Sequence, residues 1–496
     1  MLQISLERDA GRQGPPVYRQ IADQIRAQIA AERLAAGSRL PPIRELAREL
    51  RVNRDTVALA YEQLARAGVV ESTVGRGTFI AGGNVVPAAE LSPFEPALSL
   101  LAERLLEIER SRPCFGSARE AVPMHALIPD PALYPADAFR RVLNRVLQEG
   151  GPELLLYGGP QGHPRMREAL AARLRGQGIE ADARELVLCH GASQGIALAL
   201  RLFADPGAAV ALEEPTYNNA LATVSGLGLR TVSVPMREGG LDLGALERVF
   251  ERPEVKLLYT IPTFHNPMGT TSSLAQRRAL LGIAARYGKP VIEDAYEMDL
   301  RFEGRRVPPL AALDPDGLVV HLSSFSKSLF PGVRVGALTV RGRLVDALLA
   351  LKQASDLSDA MPLQAALAEF VESGAYERHL GKLRRVLRAR RDALLEALEE
   401  HMPEGVRWTR PEGGYQVWVE LLEGIDTSEL LTDAVGAGVL FAPGALFNHD
   451  GRPSHCLRLT FALADERALR RGVAILGEVI RKRGAVAGRR ADRIHI

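Results

Sequence analysis

Residues 318–328 read Leu-Val-Val-His-Leu-Ser-Ser-Phe-Ser-Lys-Ser, and Arg334 follows a few positions later. The apolar run from Leu318 to Leu322 is strand-like, and the segment behind it sets Lys327 among hydroxyls. A buried lysine gives up its proton readily and becomes a Schiff-base nucleophile, while hydroxyls and a guanidinium suit a neighbouring phosphate. The other lysines are Lys256, Lys289, Lys352, Lys382 and Lys482, and none of them has this setting. Lys352 and Lys382 lie on helical stretches and read as solvated surface charges.

Beyond this segment, strands and helices alternate from about Met124. Strand-like runs at Leu186–Cys189, Ala208–Leu212, Lys256–Ile261, Val291–Ile292 and Leu318–Leu322 are separated by helical patterns such as Leu274–Tyr287, the mark of a mainly parallel sheet. After roughly Arg341 the pattern turns helical and ends with strand candidates at Tyr415–Val419 and Cys456–Phe461, which suits a second, smaller α+β subdomain. Doubly wound sheets bind ligands at the carboxyl ends of their strands. Residues with chemical potential recur there: Gly191-Ala192-Ser193-Gln194, Tyr217, Asn266, Asp294 with Tyr296, and Ser324–Lys327. Gly191–Gln194 opens a helix whose free N–H groups suit a phosphate, although such turns are commonplace. Asp294 reads as a helix cap, a buried ion pair, or the carboxylate that keeps a pyridine nitrogen protonated. Tyr296 would then bond the ring's phenolate oxygen. Tyr217 reads equally well as core, and Asn266 before Pro267 as turn chemistry.

In order along the chain, Tyr157 with Gly162, Gly191–Gln194, Pro215-Thr216-Tyr217, His265-Asn266-Pro267-Met268-Gly269, Glu293-Asp294-Ala295-Tyr296, Ser324-Phe325-Ser326-Lys327, Arg334, and Arg458 in Leu457-Arg458-Leu459-Thr460 resemble the fold type I, pyridoxal-phosphate aminotransferases over roughly residues 124–480. The resemblance implies that Lys327 carries the cofactor covalently, that Asp294 pairs with the pyridine nitrogen, and that Asn266 and Tyr296 contact the ring oxygen. Tyr217 would stack on the ring. Gly191, Ala192, Ser193, Ser324, Ser326 and Arg334 would hold the phosphate, and Arg458 would fork onto a carboxylate. Tyr157 would reach the phosphate of a neighbouring subunit, which implies a homodimer. Met268 stands where the family's turn has Thr.

The first 82 residues carry three amphipathic stripes: Tyr18, Ile21, Ile25 and Ile29; Ile43, Leu46, Ala47 and Leu50; Val57, Ala60, Tyr61 and Leu64. Only Arg51, Val52 and Asn53 separate the last two, so those helices cross steeply, as in a helix-turn-helix, with Asn53 as a cap. A hairpin is expected from Val69–Thr73 and Gly77–Ile80. The third helix presents Arg54 and Thr56 at the end that enters a major groove, while Arg44 and Arg76 suit phosphates and a minor-groove edge. The bland alternative is a three-helix interaction module with a solvated charged face. The strings Leu40-Pro41-Pro42-Ile43-Arg44-Glu45-Leu46-Ala47, Val52-Asn53-Arg54-Asp55-Thr56-Val57 and Gly75-Arg76-Gly77-Thr78-Phe79 resemble the winged helix-turn-helix of GntR-family regulators. Pro42 stands where that family has a capping Ser, and Arg51 where it has Gly.

The 496 residues suggest about three domains. A hydrophobic fraction of 46% with 25% charged residues is globular, and a net charge of +2 excludes a whole-chain polyelectrolyte. Cys114, Cys189 and Cys456 lie far apart without companion ligands, which removes a disulfide framework and a zinc site, so no metal is expected. No apolar run approaches the roughly 18 residues of a membrane span, and the N-terminus lacks a signal-peptide pattern. A cytoplasmic protein without a membrane partner is expected. The expected organisation is a winged helix-turn-helix over 1–82, a linker with a helical stretch near Leu98–Ile108 over 83–123, an α/β aminotransferase-like domain over 124–482, and a frayed basic tail over 483–496.

A GntR-like reader fused to an aminotransferase-like domain is similar to the MocR-type regulators. That resemblance implies a pyridoxal 5'-phosphate-dependent transcriptional regulator that binds a double-stranded DNA operator and senses an amino compound or the cofactor. The alternative is a working aminotransferase that moves an amino group between an amino acid and a 2-oxo acid.

Overall fold

The computed structural model describes residues 4–6, 17–31, 34–35, 37–66, 69–73, 77–80, 97–113, 121–237 and 239–491. The chain divides into two compact units, Met1–Ala97 and Leu98–Ile496.

In the first unit the three expected stripes become the helices Val17–Ala30, Ile43–Leu50 and Arg54–Arg66, closed by the antiparallel hairpin Val70–Thr73 and Gly77–Ile80. Ile21, Ile25, Leu46, Ala47, Val57, Ala60, Tyr61 and Leu64 are buried together with Val70 and Ile80. The segment before the second helix extends the hairpin, with the Leu40 N–H donating to the Thr78 carbonyl at 2.9 Å and the Ile80 N–H to the Ser38 carbonyl at 2.9 Å. Tyr61 Oη donates to the Pro41 carbonyl at 2.8 Å, locking the third helix to that segment. The tight turn closes on Arg51 in the left-handed region, φ 50, where an L side chain is strained. Asn53 Oδ1 accepts from the Asp55 N–H at 3.2 Å, as its expected cap role requires. Pro42 makes no side-chain cap.

The second unit is built on an eight-stranded sheet in the order Leu186–Cys189, Gly336–Thr339, Val319–Ser324, Val291–Asp294, Val255–Thr260, Ala209–Glu214, Arg230–Arg237, Gly240–Leu241. Pairing from Val319–Ser324 through to Arg230–Arg237 is parallel, and Gly336–Thr339 runs antiparallel to both its neighbours. Helices cover both faces, so alternate residues of one strand enter different cores: Leu186 and Leu188 one, Val187 the other. The smaller subdomain has a four-stranded antiparallel sheet of Arg407–Trp408, Gln416–Glu420, Cys456–Thr460 and Ala442–Pro443 beside the long helices Ala375–His401 and Glu466–Ala491.

Three expectations are revised. The helix expected inside the linker is Leu100–Ser111, and it belongs to the larger unit, where Leu101 and Leu105 lie against Gly228 and Gly226 at either end of the turn after Asn218–Gly226. Val122–Pro123 pairs with Val439–Leu440, so the end of the expected linker is part of the small subdomain. The tail expected to fray continues the last helix to Ala491, with Arg483 bridging Glu429 and Asp433.

The strain at Arg51 predicts that Arg51→Gly is more stable than Arg51→Ala by about 1 kcal/mol, since alanine keeps the left-handed penalty and glycine does not. Urea titration of the full chain, followed by hydrogen exchange at the three-helix unit, measures that difference.

Candidate functional site

The carboxyl edge of the parallel strands gathers most of the expected residues. Asp294 ends its strand, is 1% exposed, and accepts from Tyr259 Oη at 2.8 Å through Oδ2. Its Oδ1 is buried and has no well-formed hydrogen bond. Burial pushes its carboxyl up to about 6, against the pull of the Tyr259 hydrogen bond. Tyr259 comes from the adjacent strand, where its backbone pairs with Ile292.

Lys327 follows Val319–Ser324 as expected. Its Nζ donates to the Leu127 carbonyl, and its own carbonyl accepts from Tyr415 Oη at 2.6 Å. Burial depresses its ammonium, reinforced by Arg458 and Arg334 and opposed by Glu297. Glu297 is fully buried, which pushes its carboxyl up, and its Oε2 lies 3.5 Å from Gln416 Nε2. Gln416 Nε2 also donates to Tyr296 Oη at 2.9 Å.

Arg458 is buried, with its guanidinium 4.9 Å from the Phe447 ring centroid. It donates to Asn266 Oδ1 at 2.9 Å and to the His125 carbonyl at 2.8 Å. Burial draws its guanidinium down to about 10. Tyr217 stands at the N-cap position of the helix Asn218–Gly226 without a side-chain capping bond, and burial pushes its phenol up to about 12.

A separate cup forms where Gly191, at φ 80, opens the helix Ala192–Phe203. Arg334 packs so closely that a Cβ on Gly191 would lie 3.0 Å from its Nη1, and its Nη2 donates to the His190 carbonyl at 2.5 Å. Ser193 Oγ accepts from Asn219 Nδ2 at 3.3 Å, and Ser324 Oγ accepts from the Ser326 N–H at 3.3 Å. Ser326 Oγ is buried without a partner. Gly336 lets the cup and the lysine loop meet: a Cβ there would come within 3.0 Å of both the Gly191 carbonyl carbon and the Ser323 oxygen. Free helix N–H groups, hydroxyls and a guanidinium together suit an anion such as a phosphate.

Not every expected residue joins this cleft. Tyr157 is 82% exposed, and the neighbouring Gly158 N–H donates to Ser358 Oγ at 2.9 Å. Lys352, expected as a surface charge, is instead 0% exposed and bonded to Asp356 and Asp359. The helix Leu344–Ser355 turns this side inward, and acids from the following loop answer the ammonium. In the first unit Arg44, Asn53 and Arg54 are exposed and Thr56 is half-buried; Arg76 lies outside the described residues. Tyr259, Glu297 and Gln416 were not anticipated. A polar group at the end of an apolar strand was the available signal for Tyr259, and the acid three residues after Asp294 for Glu297.

Residues 133–476 match the family model for class I and II aminotransferases, and residues 17–80 that for bacterial regulatory proteins of the gntR family. The chain is 30% identical to the uncharacterized HTH-type transcriptional regulator YisV of Bacillus subtilis, over 94% of this chain and 96% of that one. It is 29% identical to the probable rhizopine catabolism regulatory protein MocR of Rhizobium meliloti, over 95% and 94%. Among solved structures, the α-aminoadipate aminotransferase LysN of Thermus thermophilus, complexed with N-(5'-phosphopyridoxyl)-L-leucine, superposes with a TM-score of 0.70 at 31% identity, covering 78% of this chain and 96% of that one. No helix of the described residues is long and apolar enough to cross a membrane.

Because the folded Asp294 carboxyl sits at about 6 against 3.8, folding favours its protonated form. That contribution is complete below about pH 4 and is lost as pH rises through 6, on the order of 3 kcal/mol at ~1.4 kcal/mol per pKa unit. Melting temperatures of the cofactor-free chain between pH 4 and 7 should fall more steeply for the parent than for Asp294→Asn.

Proposed function

The chain belongs to the class I and II aminotransferase family, with a gntR-family domain at its N-terminus as in the MocR-type HTH regulators, and we propose that it is a pyridoxal 5'-phosphate-dependent transcriptional regulator that senses an amino compound. One observation carries this reading: the regulator relatives align over 94–95% of this chain, reader included, whereas the aminotransferase structure covers 78%.

The residues present fit the cofactor. Asp294 Oδ1 and Ser326 Oγ are buried polar atoms without a well-formed hydrogen bond, and the missing Cβ at Gly191 lets the Arg334 guanidinium lie against the cup. Bound pyridoxal phosphate supplies an electrophilic carbonyl that amines attack. Lys327, its ammonium depressed by burial, provides the resident amine at that carbonyl. Asp294 holds the proton of the pyridine nitrogen, Asn266 and Tyr296 hold the ring oxygen, and Tyr217 covers the ring. Gly191, Ala192, Ser193, Ser324, Ser326 and Arg334 hold the phosphate. Arg458, already oriented by Asn266 and His125, receives the carboxylate of the amino compound.

Dimerisation belongs to the same proposal. Leu155, Leu156 and Leu357 are 69%, 68% and 58% exposed beside Tyr157, an apolar patch suited to a second copy. With that copy in place Tyr157 reaches the partner's phosphate. The first unit binds an operator duplex through Arg54 and Thr56 in the major groove, with Arg44 on a phosphate, Asn53 at the turn and Arg76 at the minor groove. A regulator of DNA of this kind works in the cytoplasm.

An effector shifts DNA affinity only by its differential affinity for two arrangements of the protein. Borohydride reduction followed by peptide mapping should place the cofactor on Lys327; an adduct on another lysine overturns the site. With duplexes selected from a random pool, Arg54→Ala should lower operator affinity and leave the cofactor spectrum unchanged. Arg458→Ala should keep colour and basal DNA binding but weaken the amino-acid response by about 2 kcal/mol, one charged hydrogen bond. Steady conversion of amino acids to 2-oxo acids, with no effect of any amine on DNA binding, would replace the sensor by an aminotransferase. Sedimentation should give a dimer, weakened by Leu156→Asp.

A further inference from the structure

The cup is tied to the rest of the large unit by an ion-pair cluster that the proposed chemistry leaves unused. Lys352 Nζ donates to Asp356 Oδ1 at 2.7 Å and to Asp359 Oδ1 at 3.0 Å. His190 Nε2 lies 3.3 Å from Asp359 Oδ1 and 3.6 Å from Asp356 Oδ2. His190 immediately precedes the cup glycine, and its carbonyl accepts from Arg334 Nη2. The His190 N–H donates to Gln194 Oε1 at 2.7 Å, and Gln194 Nε2 donates to Asp356 Oδ2 at 2.5 Å. From the lysine, one chain of hydrogen bonds runs through Asp356 and Gln194 to the His190 N–H, and the close Asp359–His190 contact makes a second link to the start of the cup. On the other side, Ser358 beside Asp359 accepts from the Gly158 N–H, so the acid-bearing loop is also fastened to the segment that carries Tyr157.

His190, Asp356 and Asp359 cluster closely enough to suggest metal ligands. Lys352 Nζ already bonds both carboxylates, so the cation of this site is the chain's own. Burying an ammonium is costly, and a buried ion pair is often replaced by apolar side chains without loss of stability. Stability alone does not account for a fully buried lysine here; the attachment of both its acids to the cup and its flanks does.

We propose that Lys352 is a positioning residue for the phosphate of the cofactor: by clamping Asp356 and Asp359 it holds His190 and Gln194, and with them the Gly191–Ser193 turn and Arg334, in the geometry that grips a phosphate. This inference rests on the proposed cofactor. It differs from a general structural role in one respect, because the part of the cofactor it serves is the phosphate alone.

The test uses the full-length chain freed of cofactor, titrated with pyridoxal phosphate and, separately, with phosphate-free pyridoxal, followed by absorbance. Lys352→Met should weaken pyridoxal phosphate by about tenfold, the equivalent of one charged hydrogen bond, and leave pyridoxal within about twofold. The same substitution leaves the buried Asp359 and the half-buried Asp356 uncompensated, so Lys352→Met/Asp359→Asn is made alongside it. One lysine with two acids carries a formal charge of −1, and so does the remaining Asp356, so the double variant keeps the charge while losing the clamp. It should stay weak for pyridoxal phosphate. Parental affinity in the double variant would show that charge rather than position matters and would overturn the proposal, as would equal losses for both compounds. If the parent bound neither compound, the cofactor reading itself would fail and this inference with it.

Discussion

A carboxylate buried at the end of a central strand sets the terms for the larger unit. Four acids, Glu213, Glu293, Asp294 and Glu297, lie fully or almost fully buried at the carboxyl edge of this sheet, and the first two are answered by the chain itself. Glu213 accepts from the Ile261 N–H at 2.9 Å and from Thr260, and lies 3.2 Å from His265 Nε2. Glu293 accepts from the Leu310 and Ala311 N–H groups at 2.6 and 3.0 Å and bonds His321 at 2.9 Å. These two brace the loops that follow the strands. Asp294 and Glu297 differ: Tyr259 bonds one Asp294 oxygen while its Oδ1 has no well-formed hydrogen bond, and Glu297 Oε1 is likewise buried without a partner. Since a buried polar group left unpaired is costly, these half-answered carboxyls mark the polar centre of the cleft.

Around it, the loops are held by contacts that join distant parts of the chain. Tyr415 from the small subdomain fastens the Lys327 carbonyl, and Gln416, its neighbour, fastens Tyr296. Arg458 reaches from another strand of the same small sheet to Asn266 in the large one. Lys327, Tyr296, Asn266 and Arg458 are therefore held by contacts between the two subdomains, so a change in their relative position alters the cleft.

The first unit obeys a different economy. Among the described residues its core has twelve buried apolar side chains, and the basic side chains Arg44 and Arg54 stay in solvent. Among the described residues, the turn at Arg51 is strained where the two helices cross.

By itself, the sequence determined the two families, the order of the strands along the chain and most of the cleft. Residue type beside a strand end singled out Lys327, Asp294 and Tyr296, whereas Asn266 and Arg458 were named through the family resemblance, Arg458 lying in the middle of its strand. The three helical stripes of the reader were legible for the same reason, since periodicity records which face is buried. Tertiary structure alone decided the rest. Periodicity does not say what packs on a face, so Lys352 read as solvated until the loop bearing Asp356 and Asp359 closed over it. The partnership of Tyr259 with Asp294 depended on strand register, and that of Gln416 with Tyr296 on the docking of two subdomains. Residues far apart in the chain acquire partners only when the sheet and its crossovers bring them within hydrogen-bonding distance, and no local pattern encodes that distance.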